Sequence, residues 1–292
     1  MSGWFIEIII ETIVITGIVF VFLILTELLY IRFTSFFENL LVRNKRAQYI
    51  LGAFLGSIPG CTGVFTMDGI YMAGMVGFGG IVSATVATCG DEAFVLIGQL
   101  AIQNSTITPQ ILAILFASLF GLGILAGFLS DKFANWTKLK FCKKCSIQKH
   151  IEIYGTSAKN KFKHFLKEHI VGHILKKHIP NIVLWLFASL VIINTLNQAF
   201  DLNTIISHNK YILLLVAAII GILPISGPNL LFVSMFSKGL LPFSIMLTNA
   251  IVQDGHGLLP ILGFSIEDAL KIKTFNLLFG LIVGFLLLIL GL

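Results

Sequence analysis

Residues 56–97 read GSIPGCTGVFTMDGIYMAGMVGFGGIVSATVATCGDEAFVLI, and residues 221–262 read GILPISGPNLLFVSMFSKGLLPFSIMLTNAIVQDGHGLLPIL. Aligning Gly56 with Gly221 puts Pro59 on Pro224, Gly74 on Gly239, Phe78 on Phe243 and Gly90 on Gly255. Each copy breaks an apolar helix at proline and breaks it again at a glycine flanked by ionisable residues. Proline removes a helical N–H, and glycine tolerates the unwound backbone that follows. Matched interruptions in two halves of a hydrophobic chain point to a transporter whose site lies where the copies meet. The expected helix breaks are Pro59, Gly60 and Gly90 in one copy and Pro224, Gly227 and Gly255 in the other.

The rest of the chain supplies the solvent for this motif. Of 292 residues, 57% are hydrophobic and 12% charged, and the mean hydropathy is +0.95. Such a chain is a polytopic membrane protein, and its glycines and prolines favour helices over a barrel. The first apolar run, Trp4 to Phe33, is too long for a signal peptide and carries Glu7, Glu11 and Glu27. It reads as a retained membrane helix.

The net charge of +6 is not a nucleic-acid signature, because 16 of the 20 Lys and Arg lie in Arg32–Arg46 and Lys132–Lys177. Clustering of this kind follows the positive-inside rule and places both segments in the cytoplasm. The organisation expected is a first transmembrane repeat (1–129), a basic cytoplasmic connector (130–179) and a second, inverted repeat (180–292). The fold class is all-α, with broken or re-entrant helices, about ten helical segments and both termini outside a cytoplasmic (inner) membrane. The final crossing is expected over Thr274–Leu292. Gly74, Gly77, Gly79, Gly80 and Gly239 read as close-packing positions between helices.

The two repeats, with the connector segment FLKEHIVGHILKKHIPNIVLWLF, resemble a family of ten-helix heavy-metal exporters, also described as manganese-transporter or arsenic-efflux-like membrane proteins. The most specific motifs are GDEAF (Gly90 to Phe94) and QDGHG (Gln253 to Gly257). The resemblance implies the ten-helix architecture and metal efflux. It departs from the family's pattern at Asn229, where a histidine often follows the SGP segment.

Asp91, Glu92, Asp254 and His256 are the principal candidate ligands. An ionisable group at the centre of a membrane helix costs roughly 2.5–3.5 kcal/mol even on a lenient scale, so four beside matched breaks call for a cation or protons. Gln253, Asn249, Thr88, Asn229 and Ser226 would complete an oxygen-rich shell suited to Mn²⁺. The bland alternative makes Asp91 and Glu92 interfacial caps and the prolines packing kinks. Cys61 and Cys89 offer a thiophilic site, or else serve as small apolar filler. Asp68, Glu7 and Glu11 are each proton relays or outer-interface residues. Cys142, Cys145, His150, His169 and His173 in the connector form a possible accessory metal site, against a plain solvated loop.

The function expected is secondary transport of a divalent metal, Mn²⁺ above others, outward and with protons as coupling ion. Thiophilic heavy-metal or arsenite efflux is the alternative within transport. An intramembrane metalloenzyme or a metal sensor is the alternative from another class, and the absence of HExxH and of a Walker loop speaks against enzyme chemistry. No bound cofactor is expected. The partners are the metal ion and the bilayer, with no nucleic acid and an open oligomeric state.

Overall fold

The computed structural model describes residues 3–41, 47–137, 179–200 and 202–292, all of them helical or in short connections, with no strand. The first repeat holds α1 (Gly3–Leu41), α2 (Ala47–Ser57), α3 (Thr62–Met72), α4 (Phe78–Ala87), α5 (Glu92–Gly98) and α6 (Pro109–Thr137). The second holds α7 (Ile179–Ala199), the short α8 (Leu202–His208), α9 (Lys210–Gly221), α10 (Asn229–Ser237), α11 (Phe243–Val252), α12 (Leu259–Phe264) and α13 (Ile266–Ile289). Five stretches are long and apolar enough to cross a membrane: Trp4–Leu25, Phe78–Ala101, Pro109–Thr137, Ile179–Ala199 and Ile266–Ile289. Four of these are only 28–33% buried and present the rest of their surface outward, whereas Phe78–Ala101 is 94% buried. The broken element is therefore wrapped in protein, the condition under which irregular backbone survives at membrane depth.

The two repeats match in backbone as well as in sequence. Helices α4 and α11 begin and end at residues that the alignment equates. Gly74 and Gly239 have φ of 73° and 69°, and Gly90 and Gly255 have φ of 54° and 53°. These are left-handed values, which glycine adopts without the Cβ penalty of other residues. Packing obeys the same exchange. Helix α2 lies on α4 and α6 as α9 lies on α11 and α13; α3 meets α12 as α10 meets α5; α4 meets α13 as α11 meets α6. The C-terminal end of α6 (Leu129 to Trp136) lies beside the N-terminal part of its equivalent, α13 (from Glu267). Equivalent helices thus exchange places across the interface between the two repeats.

Small residues bring the helices together. A Cβ on Gly79 would stand 2.4 Å from the Gly127 carbonyl oxygen, and one on Gly284 would stand 1.9 Å from Thr248 Oγ1. Gly80 is equally tight, 2.3 Å from Val76 Cγ1. Gly74 and Gly239, expected as packing positions, are instead the left-handed turns that end α3 and α10. Gly77 has no heavy atom nearer than 3.8 Å to such a Cβ, so it too is not a close-packing glycine.

Two helix ends differ from expectation. Helix α13 starts at Ile266, not at Thr274, because Ser265 caps it by accepting from the Asp268 N–H at 3.3 Å. Glu267 and Asp268 then favour the positive end of the helix dipole. Lys271 and Lys273 consequently sit on the helix itself. Helix α6 runs past residue 129 to Thr137, and Asp131 turns inward: its carboxylate accepts from Gly79 N–H and from the Tyr49 hydroxyl, both at 2.7 Å. Glu11 of α1 pairs with Lys238 at 3.2 Å and accepts from Gln99 at 3.3 Å, a clasp between the repeats. Cys142, Cys145, His150, His169 and His173 lie outside the described residues.

Candidate metal centre

Four helix breaks converge at the interface of the repeats, and each contributes one polar side chain. Cys61 directly precedes α3 and Asp91 directly precedes α5; Ser226 lies between α9 and α10, and His256 between α11 and α12. The alignment pairs Cys61 with Ser226 and Asp91 with His256. Cys61 Sγ, an Asp91 carboxylate oxygen and a His256 ring nitrogen all lie within 4.8 Å of one another. Ser226 Oγ stands 3.5 Å from His256 Nδ1. The donor set joins two residues from each repeat, with sulfur, carboxylate, imidazole and hydroxyl close together.

Backbone geometry holds the cluster open. The Gly60 N–H donates to the Gly90 carbonyl at 3.0 Å, tying the two breaks of the first repeat together. The His256 backbone N–H is directed at Cys61 sulfur, so one break of each repeat is joined. A Cβ on Gly255 would lie 2.7 Å from Ser226 Oγ and 3.8 Å from Cys61 Sγ, filling the centre of the cluster. Gly227 is constrained from outside, since its Cβ would stand 2.2 Å from Trp185 Nε1. Cys61, Asp91 and Ser226 are 5%, 2% and 2% exposed, and His256 is half-buried. Three of the four donors are thus buried and His256 is partly accessible.

The remaining sequence candidates surround this cluster in separate roles. Thr88 Oγ1 accepts from Gly90 N–H at 3.1 Å and shapes the turn. Asn249 Nδ2 donates to Asn229 Oδ1 and to the Ala217 carbonyl, both at 2.9 Å, so the two asparagines brace α10 against α11. The Gln253 side chain lies against Gly90, and neither its oxygen nor its nitrogen has a hydrogen-bond partner among the described residues. Glu92 is fully buried beside Asn229, with no hydrogen bond of ordinary geometry at either carboxylate oxygen. Cys89 is buried near Glu92 and is not among the converging donors.

Asp254 has a partner the sequence reading did not name. Lys273 of α13, 8% exposed, donates to the Asp254 carboxylate and to the Gly221 and Val252 carbonyls at 3.1 and 3.2 Å. The first charge beside the second break is therefore neutralised from within the protein. Asp68 of α3 is fully buried, neither of its carboxylate oxygens has a hydrogen-bond partner among the described residues, and it lies close enough to sense the charge of Asp254. The signal for Lys273 was present in its position just beyond an S-x-x-D cap, which places a lysine two turns into a helix.

No curated protein and no solved structure matches the chain. A family profile matches it twice, over residues 7–179 and 145–290, which together span nearly the whole sequence and repeat across its two halves. With five candidate spans and an all-α fold among the described residues, the chain belongs to the family described as "Putative, 10TM heavy-metal exporter".

Proposed function

We propose that the protein exports a thiophilic or borderline divalent metal ion, Zn²⁺ being the type case, through the Cys61–Asp91–His256 cluster, with Ser226 or water as fourth ligand. The observation that carries this reading is the convergence of one sulfur, one oxygen and one nitrogen donor within 4.8 Å. Thiolate, imidazole and carboxylate are the three protein ligands of tetrahedral Zn²⁺, whereas Mn²⁺ prefers an all-oxygen or oxygen–nitrogen shell. Mn²⁺, the ion expected from the oxygen-rich residues at the breaks, is less well matched to a centre containing Cys61. Arsenite bonds through sulfur, and a single converging thiol gives it one anchor.

Metal ligands bind in their deprotonated forms, so loading this cluster releases protons. Carrying two positive charges out against an inside-negative potential costs about 4.6 kcal/mol at 100 mV, from about 2.3 per charge. Protons entering as metal leaves would offset that cost, and the same residues would serve both ions in turn. The cytoplasmic membrane and an outward-facing pair of termini fit this direction, given the basic segments at Arg32–Arg46 and Lys132–Lys177.

Flux into inside-out proteoliposomes tests the reading with Zn²⁺, Mn²⁺ and arsenite as separate substrates under an imposed pH gradient. Zn²⁺ should move fastest and Cys61→Ser should abolish its movement. Fast Mn²⁺ flux that survives Cys61→Ser would return the oxygen-rich expectation to favour.

A further inference from the structure

A groove of about 790 Å³ opens at the seam of the repeats and shares no lining residue with the Cys61–Asp91–His256 cluster. Its floor is apolar: Phe78 at the start of α4, Leu129 and Phe133 of α6, and Phe275, Leu278 and Phe279 of α13. Phe275 meets Phe78 edge-on at 6.5 Å and stacks on Phe279 at 6.0 Å, so the floor is a fixed aromatic surface. Both walls, α6 and α13, are candidate membrane spans with most of their surface directed outward. In a bilayer the groove faces acyl chains.

One end of the groove is chemically different. Lys132, Trp136, Glu267 and Lys271 line it. Lys271 is paired with Glu267 at 2.7 Å and lies 3.9 Å from Asp268. Asp131, adjacent to Lys132 in sequence, is committed to Gly79 and Tyr49. Lys132 is exposed and has no hydrogen bond or ion pair among the described residues, and Trp136 is 80% exposed. An amphipathic indole beside lysines, at the end of an apolar groove, marks headgroup depth. The twelve lysines of 130–179 begin here, which assigns this end to the cytoplasmic leaflet.

We propose that this groove is a binding site for an anionic phospholipid, with acyl chains along Phe78, Phe275 and Phe279 and the phosphate held by Lys132 beside the Trp136 indole. Basic pockets between membrane helices on the cytoplasmic side take anionic headgroups, each lysine near the surface contributing about 1 kcal/mol. Lys132 brings a cation with no counter-charge among the described residues, which a zwitterionic headgroup satisfies only in part. The lipid would bridge the last helix of one repeat and the last helix of the other. It would thereby stiffen the seam across which the repeats must move.

The test is native mass spectrometry of the purified full chain with phosphatidylglycerol or phosphatidylcholine added in equal amount. Phosphatidylglycerol should be retained about fivefold better, the equivalent of one lysine contact. Lys132→Glu should erase that preference, and Thr274→Trp, which fills the groove, should reduce retention of both lipids. Zn²⁺ binding measured on the same samples should be unchanged by Lys132→Glu, which separates a failure here from a failure of the metal reading. Equal retention of the two lipids by the unaltered chain, or a phosphatidylglycerol preference that survives both substitutions, overturns the proposal.

Discussion

The break before α5 and the break before α12 share a backbone and divide the chemistry. Gly90 and Gly255 differ by one degree in φ, and the residues just ahead of them, Thr88 and Gln253, have ψ of 139° and 141°. Side chains at equated positions have nonetheless diverged: Cys61 against Ser226, Asp91 against His256, Cys89 against Asp254. The first repeat supplies a thiol and a carboxylate to the cluster, the second a hydroxyl and an imidazole. The second break has an internal counter-cation, Lys273, whose equated position in the first repeat is Thr108. Matched backbone thus carries unlike side chains at the two breaks.

The largest expected effect comes from making the cluster chemically symmetric. Cys61→Ser gives both repeats a hydroxyl at the first break and removes the only sulfur from the donor set. Isothermal titration should show Zn²⁺ affinity falling by a factor on the order of a thousand, about 4 kcal/mol. Asp91→Asn and His256→Ala should each cause a comparable loss. Ser226→Cys runs the comparison the other way and should tighten Cd²⁺ more than Zn²⁺, because a second thiolate favours the softer ion. Unchanged Zn²⁺ affinity in Cys61→Ser would remove the sulfur from the site.

The second effect, on stability, tests the asymmetric counter-cation. Lys273→Met leaves the Asp254 charge buried without its partner, at a cost of roughly 3–5 kcal/mol. Thermal unfolding in detergent should show a large drop in Tm, and adding Asp254→Asn should restore most of it. Thr108→Met at the equated position should cost only about 1 kcal/mol, the helix cap that its hydroxyl makes by accepting from the Ile111 N–H at 3.3 Å. A double variant no more stable than Lys273→Met alone would show that Lys273 acts through the Gly221 and Val252 carbonyls instead.

Much of this fold is legible in the sequence because glycine and proline carry backbone information directly. The matched Pro59/Pro224 and Gly90/Gly255 pairs revealed two repeats. Position along the chain, by contrast, does not say which side chains point to one centre. Asp254 and Glu92 looked equivalent to Asp91 as acids beside a break, yet one faces Lys273 and the other Asn229. Cys61 and Cys89 looked like equals too, and only Cys61 meets Asp91 and His256. Lys273 was passed over because the last helix was expected to begin after it. The missing information in each case is the rotation of a short helix about its own axis, which a few irregular residues at a break leave open.

A smaller, graded effect separates the two glycines. Both have left-handed backbone, so Gly90→Ala and Gly255→Ala should each cost roughly 1–2 kcal/mol of stability. Their surroundings differ: the new Cβ at position 90 would meet only the end of the Gln253 side chain, at 3.4 Å, while at 255 it would press on Ser226 Oγ at 2.7 Å. Gly90→Ala should therefore retain Zn²⁺ binding and Gly255→Ala should weaken it about tenfold. Equal binding by both variants would mean that the centre of the cluster is not the space Gly255 leaves open.

The smallest expected effect is that of Cys89→Ser, and it bears hardest on which cysteine matters. Cys89 and Cys61 are both buried thiols next to a break of the first repeat, and a reading from sequence gives no reason to rank them. Cys89 lies near Glu92, outside the set of donors that converge within 4.8 Å. Replacing its sulfur by oxygen keeps a small side chain in the same cavity and alters no ligand. Zn²⁺ affinity and flux should stay within about twofold of the unaltered protein, a change of about 0.4 kcal/mol. If Cys89→Ser disables transport while Cys61→Ser does not, the ion is bound beside Glu92, and the donor set moves from the interface of the repeats into the first repeat alone.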